Sequence, residues 1–150
     1  MKVDLVVVGK LKDVSYQKIE NEYVKRLWPI TIHELKSNAE NKIKEAQDLE
    51  KKISELFSNN TLVILLDEKG NTYNSVEFAK WMQKQHLRGN QHFIFVIGGA
   101  EGFSLEIKNK YKNTLSLSAM TLPHRLTRIL FIEQLYRAKT ILDGHPYHNP

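Results

Sequence analysis

Three segments of the sequence combine residue types that could handle a ligand. The first is Phe93-Ile94-Phe95-Val96-Ile97-Gly98-Gly99-Ala100-Glu101-Gly102. An apolar run ends there in three glycines within five residues, so the backbone can turn sharply and approach a ligand with no Cβ in the way. Ser104 then stands where it can cap a helix. The competing reading is a plain strand-to-helix turn. Glu101 is either a solvent-facing carboxylate of that turn or a group placed to bind or deprotonate something. The second segment, Leu115-Ser116-Leu117-Ser118-Ala119-Met120-Thr121-Leu122-Pro123-His124-Arg125, leads from a strand through small residues into the last helix. Pro123 suits a first helical turn, and the exposed N–H and C=O groups of such a loop can read an adenine edge. The third is the tail, Asp143-Gly144-His145-Pro146-Tyr147-His148-Asn149-Pro150. Two histidines and a tyrosine are unusual for a frayed end, so an ordered tail over a cleft is expected. A metal pair at His145 and His148 is disfavoured, because Pro146 separates them and no acid or cysteine cluster stands nearby. No metal is expected.

Arg125, Arg128 and Lys139 fall within a sector of roughly 60° on an ideal helix, a stripe that either faces water or contacts phosphates. His33, His86 and His92 have no motif around them and read as surface or boundary residues. Several chemistries are disfavoured. The first strand ends in Val8-Gly9-Lys10-Leu11-Lys12, with one glycine where a dinucleotide fold needs three, and there is no Walker A, G-x-S-x-G or H-E-x-x-H sequence. The absence of cysteine removes disulfides, thiolate zinc sites and thiol nucleophiles. With 22 Lys and Arg against 17 Asp and Glu, the net charge of +5 mildly favours a polyanionic partner. The amino terminus reads as a strand rather than a signal peptide, and the longest apolar runs are too short to span a bilayer.

The elements that must hold these segments can be read from periodicity. Val3–Val8, Leu62–Leu66 and Phe93–Ile97 are near-continuous apolar runs, as in strands buried on both faces of a parallel sheet. Thr31–Leu35 and Leu115–Ser118 read as weaker strands. Helices are predicted over Tyr16–Leu27, Ile43–Phe57, Val76–Gln85 and Leu105–Lys112, with Asn74 and Glu77 spaced for a capping box. One domain over residues 1–150 is expected, an α/β fold with a mostly parallel sheet and helices on both faces. Ligands of such sheets sit at the carboxyl ends of strands, which points to the residues after Leu66, Ile97 and Ser118. The last predicted helix, Leu126–Leu142, is apolar around its whole circumference. It must therefore pack on its own sheet and also against something else, for which a homodimer is simplest and a central core helix of a monomer is second.

Taken in order, IGGAEG after a buried strand, LSLSAMTLPH, a helix containing EQLYRA, and the HPYH tail resemble the ribosomal RNA large-subunit methyltransferase H family, RlmH. The opening MKVDLVVVGKLK and the middle VILLDEKGNTYNSVEFA extend the likeness over the whole chain. The resemblance implies a SPOUT-type fold with a carboxyl-terminal trefoil knot, a homodimer, and a cytoplasmic enzyme. It further implies methylation of N3 of a pseudouridine in large-subunit rRNA of assembled ribosomes, with S-adenosylmethionine as donor. By position, donor binding falls on Leu66, Gly99, Ser118, Ala119, Met120, Thr121, Leu122 and Pro123. His148 is then the candidate base for the N3 proton and Tyr147 the residue that positions the uracil ring, with Arg125, Arg128 and Lys139 as RNA contacts. Two departures stand out: Ala100 occupies a position that is often proline, and Asn149-Pro150 replaces the usual arginine and glutamate. A non-catalytic RNA- or ribosome-binding factor is the alternative, and a flavodoxin-like nucleotide-binding protein a third.

Overall fold

The computed structural model describes residues 1–150. Strands and helices alternate along the chain: β1 (Lys2–Val8), α1 (Val14–Val24), β2 (Ile30–Leu35), α2 (Lys42–Leu56), β3 (Thr61–Thr72), α3 (Ser75–Leu87), β4 (His92–Ile97), α4 (Leu105–Lys110), β5 (Thr114–Ser116) and α5 (His124–Asp143). The five strands form one sheet in the order β2-β1-β4-β3-β5, and every neighbouring pair is parallel. All carboxyl ends therefore lie along one edge.

Both faces of the sheet are covered, which is why its central strands carry apolar residues at odd and even positions alike. Val3, Leu5 and Val7 of β1, with Phe93, Phe95 and Ile97 of β4, pack under α3 and α5, where Phe131 meets Phe95 at a ring separation of 4.7 Å. Val6 and Val8, with Ile94 and Val96, pack against Leu49 and Ile53 of α2 and Ile107 of α4. The alternation is that of a pleated strand.

Helix boundaries follow their caps. Asp13 accepts from the N–H groups of Ser15 and Tyr16, and Ser104 accepts from Ile107. Asn74 and Glu77 form the expected capping box. Pro123 is the residue just before α5 rather than inside its first turn, and it contributes no side-chain cap. Gly144, at φ 72°, closes α5 with its N–H on the Ile141 carbonyl, while the His145 N–H bonds the Thr140 carbonyl at 2.9 Å.

Two features differ from the sequence expectation. β3 runs on to Thr72 through an irregularity at Asp67–Gly70, pairing with Leu115 at both Leu66 and Asn71. Gly70 is needed there because a Cβ would sit 3.0 Å from the Leu115 nitrogen. The circumference of α5 is also not equally buried: Phe131, Ile132, Leu135 and Ala138 are in the core, whereas Leu130 is 43% exposed. No helix is long and apolar enough to cross a membrane.

Candidate active site

Three strand ends and one helix start enclose a pocket of about 500 Å³ at the carboxyl edge of the sheet. β3 contributes Leu66–Lys69, β4 contributes Ile97 and the turn Gly98–Phe103, the β5–α5 connection contributes Leu117, Ser118 and Met120–Leu122, and α5 contributes His124 and Thr127. The volume falls in the range of roughly 300–1,000 Å³ usual for small-molecule sites. Of the residues the sequence nominated for donor binding, Leu66, Gly99, Ser118, Met120, Thr121 and Leu122 line this one pocket. Ala119 and Pro123 belong to the same loop but do not line it.

The walls are fixed by specific bonds. The Ser118 hydroxyl accepts from the Met120 N–H, turning the loop back on itself, and the Ser116 hydroxyl lies within bonding distance of the carbonyls of Glu68 and Ser118. Thr121 donates to the Glu68 carboxylate at 3.0 Å, which ties the loop to the β3 irregularity. His124 donates through Nε2 to the Val8 carbonyl at 2.7 Å, so the start of α5 is anchored to the end of β1.

Behind the glycine turn, a Cβ on Gly99 would stand 2.5 Å from Glu45 Oε1. The missing side chain makes room for Glu45, whose other oxygen accepts the Asn38 N–H at 3.1 Å. Glu101 is exposed and pairs with Lys42 at 3.2 Å. Asp67, paired with Lys108 at 3.3 Å, and Glu68 stand beside Lys69 on the β3 side of the mouth, so that wall is polar with balanced charge. Sequence reasoning pointed to the residues after Leu66 and to a segment containing His124, but it named none of Asp67, Glu68, His124 and Thr127 as a wall residue; for the first two the signal was the DEKG stretch following the β3 run.

The basic stripe on α5 does not exist as an accessible surface. Arg128 is 5% exposed and is held by Glu20 through Nε and Nη2, at 2.7 and 2.9 Å, and by Glu34 through Nη1 at 2.6 Å. Burial works against the charged guanidinium, but these bonds and charges outweigh it and hold its pKa above the usual arginine value. Glu34 also faces a burial penalty, yet the Leu11 N–H and Arg128 keep it ionised, below its ordinary value. Lys139 pairs with Asp143 at 2.6 Å. Only Arg125 is exposed and free of an acid, lying 6.0 Å from the Tyr16 ring centre.

The tail is ordered but is not over the pocket of its own chain. The chain folds back after Gly144, so that Tyr147 meets Glu133 and His148 meets Arg137, which lie about 14 and 20 Å along α5 from His124 at the pocket end at a rise of 1.5 Å per residue. Tyr147 packs edge-on against Tyr136 at 4.7 Å and donates to Glu133 at 3.0 Å, under the guanidinium of Arg137. Burial, and then its neighbours Tyr23 and Glu133, push its hydroxyl well above the usual tyrosine range, so it is a donor and not a base. His148 accepts from Arg137 at Nδ1 over 3.1 Å, leaving Nε2 unbonded within the chain. That separation was invisible to motif spacing, which says nothing of how the tail folds back along α5.

His92 is likewise not a boundary residue. It is 8% exposed and donates through Nε2 to Asp4, as His33 does, each at 2.6 Å, while its Nδ1 lies 2.9 Å from Thr61 Oγ1. No group of side chains suited to holding a metal is found anywhere in the chain.

A family model described as "Predicted SPOUT methyltransferase" matches residues 1–148. Among curated proteins, the Ribosomal RNA large subunit methyltransferase H of Bacteroides fragilis is 36% identical, over 99% of both chains. That of Flavobacterium johnsoniae is 40% identical, again over 99% of both. That of Prochlorococcus marinus is 42% identical over 96% of this chain and 90% of the relative.

Proposed function

The chain belongs to the SPOUT methyltransferase family, and from that premise we propose that it methylates N3 of a pseudouridine in large-subunit rRNA of assembled ribosomes, with S-adenosylmethionine as donor. The observation that carries the reading is the convergence of the three strand-end segments on one pocket of about 500 Å³. The pocket suits this donor. Backbone groups of residues 118–122 can bond the adenine edge, the side-chain-free turn at Gly98 and Gly99 leaves room beside them, and the Asp67 and Glu68 carboxylates can accept hydrogen bonds from ligand hydroxyl or ammonium groups.

When bound, S-adenosylmethionine supplies an electrophilic methyl group on a sulfonium. The protein's share is to hold the ring nitrogen in line with that methyl and to exclude water. The nucleophile must also lose its N3 proton. A neutral imidazole is a suitable acceptor, but while His148 Nδ1 accepts from Arg137 its Nε2 carries the ring proton, so Nε2 could take the N3 proton only in the tautomer protonated at Nδ1, with the Arg137 bond released. Because Glu133 and Arg137 hold the tail roughly 14–20 Å along α5 from His124 at the pocket end, the reading places His148 and Tyr147 at the pocket of a second copy. The reading therefore includes a homodimer, for which the exposed Leu130 on α5 and the half-buried Tyr73 and Trp81 offer apolar surface. It also includes the knotted carboxyl segment of the family and action on ribosomes in the cytoplasm.

Two measurements test the reading together. Calorimetry with S-adenosylmethionine should give saturable binding. Mapping of modified nucleotides in rRNA from cells with and without the protein should show one methylated pseudouridine that disappears with it. Retained ribosome affinity without donor binding or a lost modification would instead mark a non-catalytic ribosome-binding factor.

A further inference from the structure

The loss of the α5 stripe leaves open which cations meet the RNA, and the distribution of unpaired charge around the pocket answers this. β1 and β2 end side by side at the carboxyl edge, joined by the Gly9 N–H on the Leu35 carbonyl at 2.7 Å. The chain leaves β1 through Lys10-Leu11-Lys12 and leaves β2 at Lys36. Leu11 is 5% exposed, its N–H bonds Glu34 at 2.8 Å, and its carbonyl accepts from the Gln17 side chain at 2.7 Å. That anchor fixes the turn, and Lys10 and Lys12 on either side of it are exposed. Arg125 joins them from the first turn of α5, which His124 fastens to Val8.

The acids of this corner are already engaged. Glu34 is bound by Arg128 and Leu11, and Asp13 caps α1. Lys10, Lys12, Lys36 and Arg125 form no ion pair, unlike Lys42, Lys108, Arg128 and Lys139. Where β3 ends, Asp67 and Glu68 stand beside Lys69 and Lys108 and the charges balance, whereas the β1–β2 side carries four cations with no ion pair of their own, which suits a polyphosphate backbone.

We propose that Lys10, Lys12, Lys36 and Arg125 form a phosphate-binding rim that holds the substrate RNA strand against the β1–β2 side of the pocket. The inference rests on the functional reading above and adds the surface that the RNA occupies. Such contacts position the strand without reading its sequence, and each neutralised phosphate adds to the salt dependence of binding.

The test uses the full-length protein and ribosomes purified from cells that lack it, with binding and methylation measured separately across a range of salt concentrations. The triple variant Lys10→Gln, Lys12→Gln, Lys36→Gln should bind ribosomes at least tenfold more weakly at low salt. Its log–log salt slope should be shallower by roughly 0.7–0.9 for each charge that touches a phosphate. Its calorimetric affinity for S-adenosylmethionine should be unchanged. Lys51→Gln with Lys112→Gln, which removes exposed lysines in α2 and beyond α4, should stay within about twofold of wild type. An unchanged salt slope in the triple variant, or an equal loss in the control pair, overturns the rim. Failure of the functional reading looks different: the wild-type protein would then methylate no ribosomes, whatever the lysines do to binding.

Discussion

Asp4 shows how a single residue can announce a partner before the partner is known. An acid inside the run Lys2-Val3-Asp4-Leu5-Val6-Val7-Val8 cannot be buried without compensation, and at 2% exposure it is buried. The compensation comes from His33 and His92, which are 29 and 88 residues away and carry no local motif. Burial alone would raise the Asp4 pKa, but the two imidazole bonds and charges outweigh it and hold the carboxyl below its ordinary value of 3.8. A carboxylate whose pKa is depressed on folding contributes stability above its unfolded pKa and loses it as pH falls through the folded value. The difference in urea midpoint between wild type and Asp4→Asn should therefore be full near neutral pH and shrink below about pH 3.8. A difference that stays constant with acidification would assign the effect to shape rather than charge. Gly99 makes a second case. The glycine-rich turn was legible as a close-approach site, but what approaches Gly99 from behind is Glu45. Gly99→Ala should weaken donor binding by pushing that carboxylate off Asn38, a loss of about 0.5–1.5 kcal/mol for the hydrogen bond. Adding Glu45→Ala should recover most of the binding in a double-mutant cycle. No recovery would show that the ligand itself needs the space.

At the scale of elements, the sequence was most informative where one physical rule sufficed. Continuous apolar runs identified β1, β3 and β4 because both faces of a parallel sheet are covered, and Asn74 with Glu77 located the start of α3. It was least informative where a position depends on a distant element. The extension of β3 past Asp67 exists because β5 pairs with it twice, which DEKG gives no hint of. The angular spacing of Arg125, Arg128 and Lys139 on α5 was sound, but spacing cannot reveal that Glu20 of α1 and Glu34 of β2 converge on the middle residue. Arg128 thereby joins three elements at the end that carries the pocket. Replacing it with methionine leaves Glu20, 7% exposed, without its bidentate partner, and breaking a buried pair in this way should cost about 3–5 kcal/mol in denaturant unfolding. Changing Glu20 to Leu in the same chain should return part of that loss, since an apolar pair of similar volume needs no solvation. If Arg128→Met unfolds within 1 kcal/mol of wild type, roughly the scale of exposed pairs, the cluster contributes only as a surface bridge does.

The whole molecule raises the question of how its pocket and its tail can work together, because the tail is held roughly 14–20 Å along α5 from His124 at the pocket end. One chain holds a pocket at the start of this helix and a Tyr147–His148 tail folded back onto Glu133 and Arg137, so the proposed chemistry joins them across a two-fold dimer. Mixed dimers decide the matter. One variant would fill the pocket by Ala100→Trp, at an exposed wall position, and keep its tail; the other would keep its pocket and carry His148→Ala. Each homodimer should be impaired, the first also failing to bind S-adenosylmethionine by calorimetry. After random subunit exchange of equal amounts, about half of the dimers are mixed, and each pairs an intact pocket with an intact tail at one of its two sites. A site shared between chains predicts recovery of about one quarter of wild-type methylation, whereas a site contained in one chain predicts none, because no single chain has both parts. Each chain carries the proposed β1–β2 rim whole, with Arg125 fixed beside it by the His124–Val8 bond, so the rim variant should lose ribosome affinity in mixed and unmixed dimers alike.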